Sequence, residues 1–309
     1  MKSAVGIDIG GTKIAAGLIG ENGACLWNTV LKSKPDDAEA MYLQVHHAVS
    51  EVLNNKPENC EITAIGAGVP GKLNIEDGVV LYQNNLPWVN YSLAERLKSD
   101  FNLPCIIDND VYMAAFAEYK GSQAAKNETF IYMTISTGIS CCIIHQGEFM
   151  RGAGFAGEIG MTVCGKNELP NCQAEYITLE QTASGKALLP FVQAHQEKGQ
   201  QGEVIDMLLA EGSSASEKMQ KKISILASSI YSLFCIIDPH TLVLGGGVIH
   251  GNKKLLHLFS EEIIRYQSPI SKEIIRRLEV SKLGKNAGMI GAGQRAFQKA
   301  GESGKKLVR

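Results

Sequence analysis

The chain has 309 residues, 45% of them hydrophobic and 20% charged, with a formal net charge of −2. That length suits two domains around a cleft, and the composition excludes a disordered or fibrous chain. A nearly neutral balance supplies no overall field for nucleic acid or an anionic membrane, so neither is expected as a partner.

Most of the eight cysteines sit inside apolar segments, such as Cys105 before Ile106-Ile107 and Cys141-Cys142 before Ile143-Ile144. This is how reduced thiols behave as small core residues, and it points to a cytoplasmic protein. No CxxC pair suggests a redox or zinc ribbon motif. Met1-Lys2-Ser3 runs straight into a strand pattern rather than an apolar leader, and the most apolar helical stretch, Ile223 to Ile237, is interrupted by serines. Lys305, Lys306 and Arg309 read as a solvated tail.

In chain order, Val5 to Ile9 and Ile14 to Ile19 predict a hairpin of buried strands joined by Gly10-Gly11, with a third strand from Cys25 to Val30 after Glu21-Asn22-Gly23. Ala38 to Leu53 has helical spacing. Ile62 to Val69 predicts a strand ending at Pro70-Gly71, Ser92 to Phe101 a helix, and Pro104 to Ile107 a strand. A helix from Val111 to Tyr119 follows, opened by Asn109-Asp110. The pattern then partly repeats: strand Phe130 to Ile135, turn Ser136-Thr137-Gly138, strand Ser140 to His145, turn Gln146-Gly147-Glu148. We read an internal duplication of two α/β halves. Helices over Ile177 to Gln193, Val204 to Leu209 and Glu217 to Ile237, a strand over Thr241 to Leu244, and a helix over Gly288 to Lys299 complete the chain.

Four segments carry the residues that chemistry needs. In Gly10-Gly11-Thr12-Lys13, adjacent glycines permit positive φ and close approach of backbone N–H groups to an anion, with a hydroxyl and a charge beside them. Asp8 could hold magnesium through water. The spacing is not that of a P-loop, and a plain hairpin turn is the alternative. Thr134 to Gly138 offers a second set of small donors, including Thr137 and Gly138. Gly245-Gly246-Gly247 ends a strand and could let adenine lie against backbone, or could simply turn the chain. Asp108-Asn109-Asp110 lies between strand and helix, where the helix dipole favours a charged Asp110. Phosphoryl transfer to an alcohol requires such a carboxylate, although a helix cap would also account for it.

Taken in order, these pieces resemble the ROK family of sugar kinases and related repressors, which share the actin/hexokinase-type ATPase fold. The resemblance runs through Asp8 to Lys13, Gly68-Val69-Pro70-Gly71, Asn85-Leu86-Pro87-Trp88, Asn109-Asp110 and Thr134 to Gly138. It continues through Gly157-Glu158-Ile159-Gly160, Leu179-Glu180, Ala183-Ser184-Gly185, Gly245 to Gly247, and Ala287-Gly288 with Gly291-Ala292. It implies a two-domain α/β fold with a ribonuclease H-like duplication and a central cleft. Residues 1–118, completed by a C-terminal helix over 286–309, would carry the first phosphate turn, the base and sugar ligands. Residues 119–285 would carry the second phosphate turn, the adenosine site and dimer contacts.

By the same resemblance, ATP and magnesium are cofactors, Asp110 is the base, and Gly71, Asn85, Asn109, Glu158 and Glu180 hold the sugar hydroxyls. The reaction implied is transfer of the γ-phosphate to a hexose or N-acetylhexosamine, commonly at the 6-hydroxyl, by a homodimer. A solvated helix face is the alternative reading of Glu180. One departure stands out. Where many members of the family carry a zinc-binding histidine this chain has Met161, and their three cysteine positions are Asn171, Gln173 and Thr178, with Cys164 and Cys172 nearby. No zinc is therefore expected, as in zinc-lacking β-glucoside kinases and some N-acetylmannosamine kinases. A repressor would carry an added winged helix, and a non-catalytic sensor would be expected to lose the base.

Overall fold

The apolar runs flanking Gly10-Gly11 form the expected hairpin. Strands β1 (Lys2–Ile9) and β2 (Lys13–Gly20) are antiparallel, with Asp8 opposite Ala15 and Ile9 opposite Ile14. The structure is a computed structural model and describes residues 1–83, 85–122, 124–166, 175–188, 214–252 and 254–306. The chain divides into two compact units, Met1–Gln123 with Lys285–Arg309, and Ala124–Gly284.

In the first unit the hairpin is extended by β3 (Cys25–Lys32), longer than its sequence signal. Helix α1 (Ala38–Asn54) follows, and its Asp37 cap accepts a hydrogen bond from the Ala40 N–H at 2.6 Å. Next come β4 (Glu61–Val69), a small hairpin of β5 (Lys72–Asn74) and β6 (Val79–Tyr82), helix α2 (Leu93–Phe101), β7 (Cys105–Asn109) and helix α3 (Asp110–Gly121). The five-stranded sheet has the order β3-β2-β1-β4-β7, with β4 and β7 parallel to β1.

Alternation along β1 divides its side chains between two layers. Val5, Ile7 and Ile9 join a core with Met41, Val45, Val49 and Val52 of α1. On the other face Ala4, Gly6 and Asp8 meet the C-terminal helix, Ala287–Lys306. That helix approaches closely because Gly6 and Gly66, paired across β1 and β4, have no side chain. A Cβ at either would overlap a helix carbonyl, of Met289 or of Ala292. This places the helix's first turn at Asp8: a Cβ on Gly288 would lie 2.9 Å from the Asp8 carboxyl carbon.

The second unit repeats the plan. Strands β8 (Thr129–Ile135), β9 (Ile139–His145), β10 (Glu148–Phe149), β13 (Thr241–Gly245) and β14 (Leu278–Val280) form a sheet of order β10-β9-β8-β13-β14. As in the first sheet, the leading hairpin is antiparallel and the last two strands are parallel to the first. The expected duplication is thus visible strand for strand. The helix Ser214–Ile237 fills this core with Met219, Ile223, Leu226, Ala227 and Ile230, joined by Leu255, Phe259 and Ile263.

The reading of Ile177 to Gln193 as one helix is corrected. Tyr176–Thr178 is strand β12, paired with β11 (Val163–Lys166), and the helix α4 spans only Leu179–Ala183. Thr178 and Gln181 form a capping box that starts the helix, and Ser184 adopts extended backbone (ψ 168°) that stops it. Residues 185–188 are helical again, as expected; the remainder of that segment beyond Leu188, and Val204 to Leu209, lie outside the described residues. No described helix is long and apolar enough to cross a membrane.

Candidate functional site

In the first unit the ends of β1, β4 and β7 and the start of α3 gather most of the expected residues. The turn Gly10–Thr12 is closed by a hydrogen bond from the Gly10 N–H to the Lys13 carbonyl at 2.9 Å. Neither Gly10 nor Gly11 takes a left-handed φ, contrary to the expectation. Gly11 is required for space instead: a Cβ there would sit 2.8 Å from the Asn85 carbonyl oxygen. Thr12 and Lys13 are exposed. Ser33, which the sequence reading missed, clasps the turn from the end of β3. Its hydroxyl donates to the Gly10 carbonyl at 2.6 Å and its N–H donates to the Thr12 carbonyl at 3.1 Å.

Asn85 belongs to a loop ordered by another missed residue, the buried Gln83. The Gln83 side-chain carbonyl accepts from the N–H groups of Asn85 (2.6 Å) and Leu86 (2.5 Å), and its amide donates back to the Leu86 carbonyl. Gly71 has φ +91°, and a side chain there would overlap Gln83. Asn109 caps α3 by accepting from the Val111 N–H at 3.0 Å, while its amide donates to the Gly71 carbonyl at 3.4 Å. Asp110 is therefore the first helical residue rather than the cap, and its carboxylate shares the Val111 N–H at 3.0 Å.

Asp8 joins these groups electrostatically. Burial, and then the charge of Asp110, raise its pKa to about 7, against the pull of Lys13. Two carboxylates, a glycine turn and an amide-lined loop thus share one end of one sheet.

In the second unit, Ser136-Thr137-Gly138 links β8 to β9, with the Ser136 N–H donating to the Gly138 carbonyl at 2.9 Å. Glu158 and Glu180 come together beside it. Burial, followed by the charge of Glu180, raises the Glu158 pKa. Gly157, at φ +94°, packs against the Cys141 carbonyl and accepts the Cys141 N–H at 2.8 Å, which fixes the Glu158 loop to β9. Gly245 and Gly246 are required sterically, against the Tyr132 ring and the Ile135 carbonyl respectively, and Gly246 has φ +91°. A Cβ on Gly247 would meet nothing within 4 Å, so this third glycine presents open backbone.

At the zinc-associated positions, Met161 is 63% exposed. The Thr178 hydroxyl accepts from the Gln181 N–H at 3.4 Å in the capping box. Cys164 is a free thiol. Asn171, Cys172 and Gln173 lie outside the described residues.

Two sheets of identical order, each opening on a hairpin with a small-residue turn, define an actin/hexokinase-like ATPase fold. Within that fold the ROK family profile matches residues 4–298, and the chain belongs to the ROK family. It is 28% identical to a glucokinase from Streptomyces coelicolor, covering 93% of this chain and 95% of that one. It is 27% identical to a xylose repressor from Caldicellulosiruptor bescii, covering 94% of this chain and 76% of the repressor. Among solved structures, it superimposes on a ROK glucokinase from Streptomyces griseus in complex with glucose and AMPPNP. That match has a TM-score of 0.75 and 25% identity, over 96% of this chain and 99% of that one.

Proposed function

We propose that this chain is an ATP-dependent sugar kinase, moving the γ-phosphate of ATP to a hydroxyl, the 6-hydroxyl, of a hexose or N-acetylhexosamine. The observation that carries the reading is the meeting of Asp110, at the start of α3, with Asp8 and the Gly10–Lys13 turn in one unit. Kinship to glucokinases supports it.

The acceptor oxygen attacks the γ-phosphorus, its proton passes to the Asp110 carboxylate, and the bond from phosphorus to the bridging oxygen of ADP breaks in line. Backbone N–H groups of the first turn, the Thr12 hydroxyl and Lys13 bind the phosphates, with Thr137 and Gly138 as the second turn. Gly245, Gly246 and Gly247 form the adenosine side, where Gly247 is open to contact. Gly71, Asn85, Asn109, Glu158 and Glu180 orient the sugar through the donor and acceptor sets that polyols require.

Asp8 would hold magnesium through water or the nucleotide phosphates. The donor fits, being a hard oxygen ligand in the field of a second carboxylate, a repulsion that a dication relieves. When bound, magnesium neutralises charge on the phosphates. Zinc has no part in the proposal, since Met161 is a poor zinc ligand and the Thr178 hydroxyl is engaged by its own helix.

A coupled assay of ADP release over a panel of hexoses and N-acetylhexosamines tests the reading. Asp110→Asn should lower turnover by about 10²–10⁴-fold while sugar binding persists. A variant with near-normal turnover removes Asp110 from the role of base. Similarity to a repressor favours one other reading, a sugar-responsive regulator. Sugar binding with no sugar-stimulated ADP release in the wild-type chain would identify it.

A further inference from the structure

The carboxylate of Glu180 is engaged before any ligand arrives. One of its oxygens, Oε2, accepts a hydrogen bond from the Ile139 N–H at 2.8 Å, immediately after the second turn. Gly138 makes room for it, because a Cβ there would overlap that same oxygen. The rest of the Glu180 segment grips the turn at two more points. The Gly185 N–H donates to the Ser136 carbonyl at 2.7 Å, and the Lys186 N–H donates to the Thr137 carbonyl at 3.4 Å. The helix that bears Glu180 is itself pinned, at its start by the Thr178–Gln181 box and near its end by Lys222, whose ammonium donates to the Thr182 carbonyl. Glu180 is nevertheless exposed, and Glu158 stands close enough to feel its charge.

We infer that Glu180 is a positioning residue for the second phosphate turn as well as a sugar ligand, so that one carboxylate couples sugar binding to nucleotide binding. This rests on the kinase reading and deepens it. Oε2 braces the turn's backbone while Oε1 and the solvent-facing edge are left to a hydroxyl donor. A sugar that fixes the carboxylate also fixes the turn, and the nucleotide then binds a turn already ordered. By linkage the effect is reciprocal, so nucleotide must tighten sugar by the same factor.

The test measures affinity for AMPPNP without sugar, and again with the preferred sugar at saturation. Glu180→Ala removes the brace and should weaken AMPPNP binding about tenfold with no sugar present, the scale of a charge-assisted hydrogen bond. Glu180→Gln keeps an oxygen acceptor for the Ile139 N–H and should stay within about threefold of wild type. Glu180→Asp, which withdraws the carboxylate by one methylene, should behave as the alanine variant does, and it keeps the question answerable if Glu180→Ala does not fold. Wild-type AMPPNP affinity in both shortened variants, with sugar binding alone lost, would overturn the bracing role and leave the kinase reading intact. No AMPPNP binding by the wild-type chain would overturn the kinase reading itself.

Discussion

Asp8 is a residue whose chemistry depends strongly on its surroundings. Its carboxyl ionises near pH 3.8 in an open chain and near 7 when folded. A raised folded pKa means that the favourable contribution is complete below pH 3.8 and is lost as pH rises through 7. In the absence of nucleotide and magnesium, the ionised group costs up to about 4 kcal/mol at pH 8, less where water screens it. Asp8→Asn should therefore raise the melting temperature at pH 8 and change it little near pH 4. An equal effect at both pH values would show that the charge is not responsible. The sequence showed Asp8, Gly10, Gly11 and Asp110 because glycine pairs and carboxylates at strand ends are visible in a string of letters. It did not show Ser33 or Gln83, because a serine or glutamine beside a strand looks like any solvated residue until its partners are in place. The backbone angle expected of Gly11 was wrong for a related reason: its φ is ordinary, and only the Asn85 loop reveals that glycine is needed there for space.

At the scale of elements, the first turn is held by Ser33, just past the strand that follows the hairpin, as well as by its own Gly10–Lys13 closure. Ser33→Ala deletes the 2.6 Å bond to the Gly10 carbonyl while leaving the backbone bond to Thr12. Losing about 1 kcal/mol of ordering should raise KM for ATP roughly fivefold with a smaller effect on kcat. Steady-state kinetics with ATP varied at saturating sugar would measure it, and unchanged constants would show that the clasp is dispensable. Long, periodic elements such as α1 and the helix Ser214–Ile237 were legible because their buried stripes repeat every three or four residues. Short elements were not. Strand β14 is Leu-Glu-Val, too brief to display alternation, and β12 abuts a capping box so closely that strand and helix read as one apolar run.

For the whole molecule, the two sheets share one order and one pattern of parallel and antiparallel pairing. The sequence hinted at this only through the hairpins, because the crossovers between the later strands differ in length and composition. If zinc has no structural role, chelation should abolish magnesium-dependent turnover yet leave the melting temperature unchanged, and elemental analysis should find no stoichiometric zinc. Zinc near one equivalent per chain, or a large loss of stability in chelator, would contradict this. The duplicated plan has a further consequence. In β1 the second residue before the turn is Asp8, whereas its counterpart in β8 is Thr134, and the Asp110 carboxylate stands in the first unit alone. On the kinase reading, the reacting carboxylate belongs to one copy of the shared plan, and the other copy supplies binding groups alone. If Asp110 is the base, a single codon change there silences transfer and spares the folded scaffold, so Asp110→Asn should melt within a few degrees of wild type. That leaves a short mutational distance between an enzyme and a sugar-responsive protein of the same descent.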